Sequence, residues 1–276
     1  MEITVVEGDV TEIETEVLIV NLFEAVDAPA GATGAVDSAI GGLITELISD
    51  GEITGAASAS VLIHTPNSAY PKFKPSRVLG LGSEESFDLN VARRVSAAVI
   101  RRLRTSGVKN AATIVHGAGI GGIDRAAGAQ ALTEGSLLGS YRFNKYKKAD
   151  PKRRDNIETL TVIEHDSSKM SAIYAGVEKG IVYSQADTLA RDLVNEPANK
   201  LSPSDLAAVA ERIAADGGIS CVVLGESDVS KLGMGAYVGV AQGSDRPLKF
   251  IHMSYEGDPG NEENNLWLVG KGITFD

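Results

Sequence analysis

Short runs of β-branched and apolar residues alternate, through the first 165 residues, with stretches whose apolar side chains recur every three or four positions. Strands separated by helices cannot close as hairpins, so the chain must form a sheet covered by helices, an α/β architecture. The runs 3–6, 17–20, 60–64, 77–81, 112–115 and 159–164 read as strands. Residues 37–49 read as a helix, because Ile40, Leu43, Ile44, Leu47 and Ile48 fall on one face, with Asp37 as its cap and Gly51 beyond its end. Residues 88–104 read as another, with Ala92, Val95, Val99 and Leu103 inward and Gly107 closing it.

A long helical stretch, 168–194, leads to a second unit that opens on Ser202, Pro203 and Asp205, the cap, first-turn proline and capping-box acid of a helix through Ala214. The runs 220–224, 236–241, 248–253 and 266–269 are short, apolar and bounded by turn formers, so each is expected to be a strand. The expected organisation is a domain over residues 1–165, a linker helix over 166–200 and a further α/β domain opening at 201–276.

The formal charge of -11 argues against general affinity for nucleic acid or an anionic membrane. It is uneven: residues 142–154 carry seven basic side chains against Asp150, with Tyr141, Phe143 and Tyr146 interleaved. That run is open to two readings, a nucleic-acid patch or a solvated domain edge, and Pro151 favours the edge. One cysteine, Cys221, rules out an intrachain disulfide and a Cys-cluster metal site, and suits a reducing compartment such as the cytoplasm. No signal peptide and no apolar run of membrane-spanning length is visible.

Several catalytic routes are missing from the sequence. There is no phosphate-binding GxxxxGK[ST] loop, no HExxH pair and no GxSxG elbow, and His64, His116, His165 and His252 are widely spaced. The informative segment is LWLVGKGITFD, where Lys271 stands between Gly270 and Gly272 after an apolar run. At the carboxyl end of a strand, flanking glycines permit close backbone approach to a ligand; a lysine reaching from a sheet edge to solvent is the plainer alternative.

VGKGITFD resembles the metal-binding segment of the leucyl aminopeptidase family, dinuclear-metal exopeptidases. EGSLLGSYRFNKYKK (134–148), ARDLVNEPANKLSPSDLA (190–207) and LGMGAYVGVAQGSDRP (232–247) resemble further segments of that family in the same order. The resemblance implies that Lys271 and Asp276 are metal ligands, that two divalent ions, Mn²⁺ or Zn²⁺, serve as cofactors, and that peptides with a free N-terminus are substrates. It also implies a cytosolic homo-oligomer, a hexamer in the family. The family's other metal carboxylates and its second catalytic lysine follow the position of Asp276, so the chain is expected to be an N-terminal portion, inactive as it stands.

The first domain carries a second resemblance. EGDVTEIETEVLIVN (7–21) and GATGAVDSAIGG (31–42) resemble the macro domain, a mixed-sheet module that holds ADP-ribose. That resemblance implies a phosphate near Gly31, Gly34 and the Asp37 helix, with Asp9 and Asn21 as polar contacts, and makes an ADP-ribose or nucleotide module the alternative function. The leucyl aminopeptidase family has a macro-like first domain of its own, so ancestry accounts for these residues without a ligand. A regulatory partner of an intact homologue is the remaining alternative.

Overall fold

The computed structural model describes residues 1–64, 76–118, 122–148, 156–261 and 263–274. Two compact units result, Met1–Ala190 and Arg191–Asp276. In the first, β1 (Glu2–Glu7), β2 (Val17–Leu22), β3 (Ser60–Ile63), β4 (Ser76–Gly80), β5 (Asn110–Thr113) and β6 (Thr159–Glu164) build a mixed sheet in the order β1-β6-β5-β2-β4-β3. Neighbours run parallel except β3, which lies antiparallel to β4 at one edge.

Parallel pairs require crossovers, and the helices supply them. α1 (Gly31–Ala39) and α2 (Leu43–Ser49) follow β2, α3 (Leu89–Ser106) follows β4, α4 (Arg125–Ser140) follows β5, and α5 (Met170–Asn195) follows β6. Strand periodicity then splits the core between two faces. Val17 and Ile19 of β2 pack with Val95 and Val99 of α3, Leu132 of α4 and Ile173 of α5. Leu18, Val20 and Leu22 point the other way, to Val36 of α1 and Ile44 of α2. The result is a sheet between two helical layers.

The expected helix over 37–49 is two helices broken at Gly41 and Gly42, whose φ values of +78° and +84° no helix accommodates. Asp37 therefore does not start a helix. It sits in the last turn of α1 and caps α2, accepting the N–H of Ile44 at 2.7 Å, the N–H of Thr45 at 3.2 Å and the Thr45 hydroxyl at 2.5 Å. α3 occupies the span expected for it and ends at Gly107, which takes φ +77°; the structure adds a cap, Asp88, which accepts the Val91 N–H at 2.7 Å.

α4 answers to no expected element. Its buried positions run nearly all round, among them Ala129, Ala131, Leu132, Gly135, Ser136 and Gly139, so it shows no apolar stripe. Small residues let its neighbours approach. A Cβ on Gly139 would lie 2.7 Å from Ala97 Cα of α3, and one on Gly180 of α5 would lie 2.7 Å from Thr133 Cβ of α4.

The second unit contains α6 (Pro203–Gly217), β7 (Ser220–Leu224), α7 (Glu226–Lys231), α8 (Gly235–Ala241) and β8 (Phe250–Ser254), with β7 and β8 antiparallel. The expected capping box is present: Ser202 N–H donates to Asp205 at 2.9 Å, and Asp205 N–H donates to Ser202 Oγ at 3.4 Å. Two expected strands are not strands. Residues 236–241 lie in α8, because a short apolar run fits either period. Residues 266–269 pair with no strand among the described residues, and Val269 is 94% exposed.

Candidate functional site

In the first unit, adjacent strands β2 and β5 send their following helices to opposite faces: α1 packs with the Leu18 side of the sheet and α4 with the Val17 side. Diverging connections leave a crevice beyond the carboxyl ends of the two strands, the usual ligand position in open α/β sheets. A cavity of about 780 Å³ occupies it. Leu22 at the end of β2, Phe23 and Val26 after it, Ile114 and Val115 after β5, and Ile163 of β6 supply apolar walls.

Polar groups enter from four sides. The first turn of α1 opens on the cavity through Gly31, Ala32 and Thr33, and the capping position, Ala30, has no side chain able to accept their N–H groups. Thr33 donates its hydroxyl to the Asn21 carbonyl at 2.7 Å, which ties α1 to the end of β2. Asp9, after β1, accepts the Thr11 hydroxyl and N–H, each at 2.7 Å, and these bonds hold its carboxyl below the usual range. Arg125, at the first position of α4, lines the cavity; its Nε is buried and has no hydrogen-bond partner among the described residues.

Asn21 is held from behind by His116. The amide Nδ2 donates to His116 Nδ1 at 3.1 Å, so the ring must be neutral with its proton on Nε2. Burial agrees: His116 is 2% exposed, and desolvation pushes its pKa down to about 4. With the amide nitrogen engaged, the Asn21 side-chain oxygen is the group left to serve as an acceptor. Glu164 closes the β6 side, accepting the Asp166 N–H at 3.0 Å and standing 3.1 Å from His165 Nδ1.

Of the residues singled out beforehand in this unit, Asp9, Asn21 and Gly31 meet at the cavity. Gly34 and Asp37 do not line it. Gly34 lacks a Cβ because one would lie 2.6 Å from the Pro29 carbonyl oxygen, and Asp37 is occupied capping α2. Arg125 and Glu164 were missed; the signal available for Arg125 was Asp124 before it, which caps α4 by accepting the Ala127 N–H at 2.9 Å.

In the second unit, Lys271 is exposed in a segment without regular structure, followed by Gly272 at φ +60°, and Asp276 lies outside the described residues. The lysine is thus not presented by a strand, as had been expected. Trp267 stacks on His252 with ring centroids 6.1 Å apart. Among the described residues, no three His, Cys, Asp or Glu side chains gather as a metal site. In the basic run, Phe143 and Tyr146 contact each other edge-on at 6.0 Å and Lys145 lies 5.6 Å from the Tyr146 ring; residues 149–155 lie outside the described residues.

The fold is similar to that of part of leucine aminopeptidase. A mutant of tomato leucine aminopeptidase superposes with a TM-score of 0.76 at 23% identity, over 92% of this chain and 50% of that one. The bottromycin maturation enzyme BotP in complex with Mn gives a TM-score of 0.68 at 22% identity, over 89% of this chain and 46% of that one. Residues 19–150 match the N-terminal domain of the cytosol aminopeptidase family, and residues 188–276 match its catalytic domain. The chain belongs to the cytosol aminopeptidase family. Similar proteins include the probable cytosol aminopeptidases of Alkaliphilus metalliredigens, 32% identical over 100% of this chain and 55% of that protein, and Solibacter usitatus, 34% identical over 100% and 53%. The chain thus spans about half the length of the curated relatives it matches.

Proposed function

We propose that these residues form the first domain and the opening of the catalytic domain of a metal-dependent aminopeptidase, which releases N-terminal residues from peptides with a free N-terminus. The supporting observation is the two family matches in chain order, with the glycine-flanked Lys271 inside the catalytic one. In this reading Lys271 and Asp276 are ligands to a pair of divalent ions, Mn²⁺ or Zn²⁺. Such ions, when bound, polarise the scissile carbonyl and lower the pKa of a water nucleophile. The described residues fit that centre in part. Lys271 offers an exposed amine, which ligates once a cation favours its neutral form, but the several oxygen ligands of a dinuclear site are not gathered among the described residues.

The 276 residues by themselves are therefore expected to be silent towards a leucine chromogenic amide, with or without Mn²⁺ or Zn²⁺. Chelator-sensitive turnover by mass-verified protein would overturn that expectation. Joined to the second half of the Alkaliphilus metalliredigens relative, the same residues should give chelator-sensitive turnover that Lys271→Met abolishes; turnover indifferent to that change would remove Lys271 from the metal site. A cytoplasmic setting and a hexameric assembly belong to the same reading. No helix among the described residues is long and apolar enough to cross a membrane.

A further inference from the structure

We propose that the cavity beyond β2 and β5 binds a short peptide with both termini free and apolar side chains. The inference rests on the cavity alone and holds whether or not the second unit belongs to a peptidase. At about 780 Å³ the cavity falls in the range of sites that enclose a drug-sized ligand, and it is roomy for a single amino acid. Its walls, Phe23, Val26, Ile114, Val115 and Ile163, suit aliphatic side chains.

The polar groups are of two kinds. Donors come from the uncapped first turn of α1 and from Arg125, whose side chain lines the cavity. A carboxylate is the acceptor that a guanidinium and a row of backbone N–H groups hold best. Acceptors come from Asp9, kept ionised by Thr11, and from the Asn21 oxygen that His116 leaves free. These suit an ammonium group. A ligand with one charge of each sign and an apolar body satisfies both kinds.

The same inventory disfavours a diphosphate. Lys169 is already paired with Asp166 at 2.8 Å, so among the described residues Arg125 is the lining cation without an ion pair, while Asp9 and Glu164 would face the added negative charge.

The test is amide NMR of the ¹⁵N-labelled 276-residue chain, with chelator present, titrated with the tripeptide Leu-Ala-Leu. Shifts are expected at Gly8, Asp9, Gly31, Ala32 and Thr33, saturating in the millimolar range. Capping either peptide terminus, by N-acetylation or C-amidation, should weaken binding about tenfold. Arg125→Gln should weaken the free acid about tenfold and leave the C-amidated peptide unchanged, a pairing that a merely structural Arg125 would not produce. Absence of shifts at those residues, or shifts confined to residues 191–276, would overturn the proposal. So would ADP-ribose shifting them at lower concentration than the peptide, which would assign the cavity to a nucleotide instead.

Discussion

His116 gives the first unit a pH signature. Its ring is neutral in the fold, with a pKa of about 4, while an unfolded histidine titrates near 6.5. Between those values the unfolded chain holds a proton that the native one does not. This contribution to stability is therefore complete above pH 6.5, falls as pH drops and levels off below about 4, a loss on the order of a few kcal/mol. Urea midpoints at pH 7.5 and 5.0 should separate in the parent and draw together in His116→Gln. Asp37 makes a second prediction at this scale. Replacing it by Ala strips three donors at the start of α2, two of them backbone N–H groups, and should cost about 2 kcal/mol in urea unfolding. At this scale the sequence was only partly readable. Asp88 and Ser202 announce their caps because the groups they serve lie within three residues, whereas Asp37 serves Ile44 across a helix break that a hydrophobic stripe does not reveal.

Helix α4 shows how an element escapes sequence reading. Amphipathic periodicity marks a helix that has one dry face, and α4 is buried nearly all round, so Ala, Gly and Ser replace the stripe. Its neighbour α3, with Arg93 half-exposed and Val95 and Val99 buried, was readable for the opposite reason. The close α3–α4 approach predicts that Gly139→Val, forced against Ala97, destabilises the first unit by about 3 kcal/mol. Gly239 in α8 is the contrast: nothing lies within 4 Å of a Cβ there, so Gly239→Ala should leave the fold intact and raise stability by up to about 1 kcal/mol. Denaturant titrations of both variants check the pair. The strand expected over 236–241 failed at this scale too, since seven residues offer too few turns to separate the two periods.

Across the whole chain, apolar burial is unequal. The first unit has two packed clusters on either side of its sheet, whereas the buried apolar side chains described after Ala190 are Ala207, Ala210, Ala214, Val229 and Leu248. Leu266, Trp267, Leu268 and Val269 are exposed in the same unit. Stability follows buried apolar area, so residues 191–276 should unfold at lower denaturant than residues 1–190 and be cut first in limited proteolysis. A single coincident transition, or loss of the first unit before the second, would contradict this. The alternation of strands and helices was legible because it is written in local periodicity. The crevice was not, because it depends on which face each helix takes after leaving the sheet, a choice made by packing among distant residues.

That choice has a consequence for how such a domain changes over time. Ala28, Ala30 and Arg125 stand past the strand ends, outside every strand pairing of the sheet and outside its two apolar clusters. Their identities can drift with little penalty to the framework, because the opening is created by the route of the chain and not by the residues that furnish it. One scaffold can thus inherit a hollow and refit it for a new occupant, or leave it vacant, while its ladder of strands passes unaltered from ancestor to descendant.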